Sequence, residues 1–134
     1  MADELVIQTR VFDLLTWLLP KSEVFPKAYR FTVPQRLMDA ALDLQDALAE
    51  AQGSRGQSRR VSLHTADRSL IRLRIYLRLA HHWRWLTSGQ YEHVSRMVAE
   101  IGRMLGGWLR REPCPGGIAG SRRHPWAAAA HPRV

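Results

Sequence analysis

Apolar residues recur along this chain at helical intervals. Ile7, Val11, Leu14 and Leu18 are spaced by four, three and four residues, the repeat of one helix face. They predict a first helix from about Asp3 to about Val24. Leu5, Phe12, Leu15 and Leu19 make a second stripe on it. Pro20 removes one backbone donor and is expected to kink or end this helix, with Phe25-Pro26-Lys27 as a connector. A second helix is expected to begin near Thr32-Val33-Pro34, since proline suits a first helical turn. Its seam is Leu37, Ala41, Leu44 and Leu48, with Asp39, Asp43, Asp46 and Glu50 on other faces. The polar stretch Gly53 to Ser58 reads as a loop. The third helix is predicted from about Arg59 to Leu86, on the seam Leu63, Ala66, Leu70, Leu73, Leu77 and Ala80. Thr87-Ser88-Gly89 reads as a turn. The fourth helix is predicted from about Gln90 to Arg111, on the seam Val94, Val98, Ile101, Leu105 and Trp108.

Four amphipathic helices with short connections predict an all-α, antiparallel four-helix bundle over residues 1–112. The length of 134 residues suits one domain. From Pro113 the periodicity stops and Pro, Gly, Ala, Arg and His dominate, so 113–134 reads as a disordered basic tail. No apolar run approaches the ~18 residues that cross a bilayer. The acidic start Met1-Ala2-Asp3-Glu4 does not resemble an export signal, and the cytoplasm is the expected compartment.

The third helix carries more apolar surface than one seam uses. At ~100° per residue, Ile71, Ile75, Leu79 and Leu86 fall well away from the seam. Leaving four such side chains in water would forgo roughly 6–12 kcal/mol, comparable with the stability of a whole domain. These residues are the expected oligomer interface. The alternative is that this helix is central and meets two neighbours in its own bundle.

Charge divides the chain. Residues 1–54 hold five basic and eight acidic side chains, and residues 55–134 hold fifteen and four. Eighteen of the twenty basic residues are arginine, which forks onto phosphate and carboxylate. Codon bias toward arginine would leave the same imprint. Arg68, Arg72, Arg74 and Arg78 decorate the third helix. Arg96, Arg103 and Arg110 form one stripe on the fourth. They are either a solvated helix surface or a phosphate-contacting one that binds nucleic acid. Trp83 and Trp85 flank Arg84 and are able to stack on bases, although core packing is expected for at least one. Gly102 and Gly106, one turn apart, suggest a close backbone approach to a neighbouring helix, or fraying at a helix end.

Catalytic chemistry is not written here. Cys114 is the only cysteine, so neither an internal disulfide nor a thiolate metal cage can form. None of the six histidines sits in an HExxH frame. His81 and His82 are adjacent and diverge on a helix. Asp67 and Glu100 stand alone among arginines and read as ion-pair partners. No catalytic residue, metal site or cofactor is expected.

Two stretches carry a family resemblance. Leu63-His64-Thr65-Ala66-Asp67 followed by Leu73-Arg74-Ile75-Tyr76-Leu77-Arg78-Leu79-Ala80 resembles the third helix of the accessory variability determinant (Avd) proteins of diversity-generating retroelements. Ile101-Gly102-Arg103-Met104-Leu105-Gly106-Gly107-Trp108 is similar to the G-R-x-L-G-x-W pattern of their last helix. The spacing from Pro20 to Pro26 resembles the end of their first. The likeness covers about residues 5–111. It implies a homopentameric barrel of four-helix bundles, without enzymatic activity. The implied partners are the retroelement's reverse transcriptase and RNA or DNA, bound in support of template-RNA reverse transcription and mutagenic retrohoming. It points to Arg74, Arg78 and Arg103 as contacts, some of which could instead serve subunit interfaces. The alternative resemblance is to bundle proteins encoded in intervening sequences of ribosomal RNA genes, which would make this a protein–protein interaction module. Phe25-Pro26-Lys27 is similar to those as well.

Overall fold

The computed structural model describes residues 2–29 and 31–111. The expected tail, 113–134, lies outside them. The described residues form α1 (Ala2–Ser22), a 3-10 turn (Lys27–Tyr29), α2 (Val33–Gln52), α3 (Gly56–His82) and α4 (Ser88–Arg111). The helices pack as a square: α1 on α2, α2 on α3, α3 on α4, and α4 back on α1. Diagonal pairs hardly meet, as short connections between antiparallel neighbours dictate.

The predicted seams are the core. Ile7, Val11, Leu14 and Leu18 of α1 are fully buried, as are Leu37, Ala41, Leu44 and Leu48 of α2. The seams of α3 and α4 meet them. The contact of α2 with α3 is the most extensive. Its cause is composition: Ala40, Ala41, Ala47 and Ala51 all face inward, and small side chains let two backbones approach.

Pro20 does not end α1, which continues to Ser22. Glu23, Val24 and Phe25 then donate backwards to the carbonyls of Pro20, Lys21 and Ser22 at 3.1–3.2 Å, closing the helix with tight turns. α3 starts at Gly56, earlier than expected, on a positive φ of 59° that glycine adopts without strain.

Its other end is the main departure from the sequence reading. α3 stops at His82, before Leu86. Trp83 caps it and Arg84 takes a left-handed φ of 64°. The amide of Trp85 donates to the carbonyl of Ala80, and that of Arg84 to the carbonyl of His81, both at 2.9 Å. This is a Schellman closure with arginine at the position glycine usually fills. The left-handed conformation costs a non-glycine residue about 1–2 kcal/mol.

The chain then enters α4 through a reciprocal cap. Gln90 donates its amide to Thr87 Oγ1 at 3.1 Å, and Thr87 donates its own to Gln90 Oε1 at 2.9 Å. That Thr-x-x-Gln arrangement starts α4 two residues before the expected Gln90. Leu86, held between the two devices, turns inward and is 1% exposed.

Arg59 fastens the far end of the bundle. It pairs with Glu4 of α1 at 3.4 Å, donates to the Ala51 carbonyl at the end of α2 at 2.9 Å, and lies over the Trp108 ring of α4 at 5.4 Å. Gln8 joins the same end to α2, through Gln45 at 3.3 Å and Gln52 at 3.4 Å.

Candidate nucleic-acid interface

The arginines singled out by sequence separate once their neighbours are known. Arg72 leans toward α2 and pairs with Asp43 at 3.3 Å, while also donating to Ser69 Oγ at 2.9 Å. Arg96 pairs with Glu92, one turn earlier on its own helix, at 3.1 Å. These two are already matched to carboxylates, although such exposed pairs are weak. Arg68 donates to Thr65 Oγ1 at 3.3 Å. Arg74, Arg78, Arg103 and Arg110 are exposed and make no ion pair among the described residues.

Arg74 and Arg78, one turn apart, lean toward α4. They border a cavity of about 300 Å³ between α3 and α4, with Ile75, Tyr91, Ser95 and Val98. Gly102 explains how Arg74 lies there. A Cβ at Gly102 would collide with Arg74 Nη2 and press Leu70 Cδ2 at 3.4 Å. The close approach expected at Gly102 is therefore real, but a guanidinium makes it rather than a helix backbone. Gly106 meets only Arg110 of its own helix, at 3.8 Å. On a 100° wheel Arg96 and Arg103 lie about 80–120° round α4 from Gly102 and Ser95, on the outer face opposite its buried seam. The groove is thus bordered by Arg78 and Arg74, and Arg103 stands outside it.

No carboxylate side chain occurs between Asp67 and Glu92. The positive charge of the part of α3 that follows Asp67 is therefore uncompensated by its own sequence, apart from the reach of Asp43. Glu100 is the ion-pair partner the sequence suggested, joined to Arg10 of α1 at 3.0 Å. Asp67 makes no ion pair among the described residues. His64 carries a buried Nε2 with no hydrogen-bond partner among them. His81 is pinned between helices, its ring stacked on Tyr91 at 4.4 Å and its Nε2 3.3 Å from Ser88 Oγ. Among the described residues no group of three metal-binding side chains comes together, and no helix is long and apolar enough to cross a membrane.

The second apolar face also divides. Ile71 and Ile75 are about half exposed, as expected of an uncovered stripe. Leu79 is partly covered. Leu86 does not belong with them, because the turn at Arg84 carries it off the helix and into the monomer's own core. α1 shows the matching excess: Leu5, Phe12 and Leu19 lie on one side of it and are 62%, 63% and 42% exposed.

Sequence reasoning missed two arginines with distinct roles. Arg59 is a structural clamp whose partners lie on three other elements, so no local signal marks it. Arg84 was visible as a basic residue between tryptophans, but its left-handed backbone was not.

An antiparallel four-helix bundle with an arginine-bearing groove between its last two helices defines the class of this protein. The chain belongs to the bAvd-like family, whose profile matches residues 5–112. Among solved structures it is similar to a protein of unknown function from the S23 ribosomal protein family of Bacteroides thetaiotaomicron. The TM-score is 0.73 at 14% identity, over 81% of this chain and 98% of that one. At that identity the likeness is one of fold. No curated protein matches the chain.

Proposed function

We propose that this protein is a non-catalytic accessory subunit of a diversity-generating retroelement. It binds the element's reverse transcriptase and nucleic acid, and supports reverse transcription of template RNA and mutagenic retrohoming. Family membership supports the setting. The observation that carries the nucleic-acid role is the α3–α4 groove bordered by Arg74 and Arg78, which are exposed without ion-pair partners among the described residues, as is Arg103 on the outer face of α4. Arginine without a carboxylate partner presents a fork suited to phosphate.

The protein acts as a homo-oligomeric ring, a pentamer by family resemblance. Its two exposed apolar stripes lie on α1 and α3, which are diagonal in the square. Unlike patches on opposite sides of a protomer favour head-to-tail contacts, and such contacts close into rings when the rotation permits. Ring closure would repeat the basic groove around the assembly and raise its avidity for a polyanion.

The test is binding of RNA and DNA oligonucleotides by fluorescence anisotropy across a salt series. Replacing Arg74 and Arg78 together by Glu is expected to weaken binding by at least tenfold and to flatten the salt dependence, with helix content unchanged. Unchanged affinity at matched salt would remove those arginines from the interface. A second reading, a module making only protein contacts, has the S23-family fold likeness in its favour. It predicts no nucleic-acid binding at ~150 mM salt, where weak charge-only contacts are screened.

A further inference from the structure

The end of the bundle where α3 turns into α4 holds chemistry that the groove does not use. On one side of the turn lies a cavity of about 690 Å³, bordered by Arg78, His81, His82 and Arg84 with Thr87 and Ser88. Its lining includes no carboxylate. On the other side lies a cavity of about 380 Å³ bordered by Tyr29, Thr32, Val33, Trp83 and Trp85. The aromatic rings form a ladder. Phe25, 4% exposed, packs on Trp85 at 5.5 Å. Tyr29 stacks on Trp85 at 6.0 Å, and Trp83 stacks on Trp85 at 5.6 Å with 29° between planes. Trp83 also meets the His82 ring edge-on at 5.7 Å and is 51% exposed.

We propose that this turn binds single-stranded nucleic acid, with an unstacked base added to the ladder on Trp83 and the flanking phosphates on Arg78 and Arg84. The proposal rests on the nucleic-acid reading above and narrows its ligand. Arg78 belongs to both places, so a strand in the α3–α4 groove is led directly to the turn. Exposed tryptophan and guanidinium groups, here carried on the two sides of one turn, are the two elements that single-strand binding combines. The bases of a duplex are stacked inside it and cannot reach Trp83. The backbone at Arg84 points the same way. A glycine would close α3 without strain, yet an arginine stands there with φ 64°, and strained non-glycine residues concentrate where a side chain serves a function.

The experiment titrates the full-length chain against a labelled single-stranded oligonucleotide of about ten residues and against its duplex, at several salt concentrations. Trp83→Ala is expected to weaken the single strand by roughly 5- to 150-fold, the range for losing one stacked base, and to leave the duplex unchanged. Trp83→Phe is expected to recover most of that affinity. Arg84→Gly suits the left-handed backbone, so the fold is kept. It is expected to lower the slope of log affinity against log salt by about 0.7, the contribution of one phosphate on a single strand. Equal losses for single strand and duplex would overturn the proposal, as would a drop in oligomer mass for Trp83→Ala, which would make Trp83 a subunit contact. If Arg74→Glu/Arg78→Glu loses binding while Trp83→Ala and Arg84→Gly bind as wild type, the turn is not the site and the groove reading stands. If the wild-type chain binds neither nucleic acid even at low salt, both fall.

Discussion

Single residues here are decided by what reaches them from other helices. At Gly102 the guanidinium of Arg74 lies across the helix where a Cβ would stand. The obstructing group is the far end of a flexible, exposed side chain, so it can swing away. Gly102→Ala is therefore expected to stabilise α4 by up to about 1 kcal/mol through helix propensity, while displacing the Arg74 guanidinium. Thermal unfolding checks this, and a loss of stability would mean that Arg74 is firmly held in the groove. Arg84 is the converse case, an L-residue in a left-handed position. Arg84→Gly is expected to raise stability by about 1 kcal/mol, measurable by urea unfolding. Leu86 distinguishes core from interface. Its removal as Leu86→Ala is expected to cost about 2–5 kcal/mol, the range for a fully buried leucine. A near-neutral result at constant oligomer mass would contradict its burial.

At the scale of elements, the seams of all four helices are legible because each repeats at three- and four-residue intervals with polar residues between. Boundaries were less so, and the reasons are physical. The end of α3 was missed because apolar residues continue through Trp83, Trp85 and Leu86 at helical spacing, and no glycine marks the Schellman closure. The start of α4 was placed late because Thr87-Ser88-Gly89 reads as a turn, whereas Thr87 and Gln90 cap each other. The basic residues were legible as a set but not as individuals. Periodicity places Arg72 and Arg74 on different sides of α3. It cannot say that Asp43, far away in sequence, meets Arg72 while Arg74 finds a glycine. The clamp at Arg59 is of the same kind. Arg59→Ala gives up a largely shielded ion pair, a carbonyl bond and a ring contact together. It is expected to cost about 1–3 kcal/mol, and hydrogen exchange is expected to show the loss first at the adjoining ends of α1 and α3.

The whole molecule is organised by two kinds of surface on one bundle. Apolar stripes on the diagonal helices α1 and α3 suit association with further copies, and the groove between α3 and α4 is bordered by Arg74 and Arg78. Ile75 borders the same cavity as Arg74 and Arg78, so an exposed apolar side chain and two exposed guanidinium groups meet at one groove. Phe12→Glu on α1 is expected to lower the oligomer mass while circular dichroism keeps the helical signal, because Phe12 is exposed in the protomer. The acidic first half and basic second half set this polarity. The basic half holds α3 and α4, and α2 supplies Asp43 as a carboxylate that reaches α3.

The most direct test is co-expression of this chain with a reverse transcriptase of a diversity-generating retroelement, followed by light scattering of whatever purifies. The account predicts a stable complex whose mass contains five copies of this chain and the polymerase. A clean oligomer of this chain that leaves the polymerase behind would contradict the accessory role and favour the protein-interaction module instead.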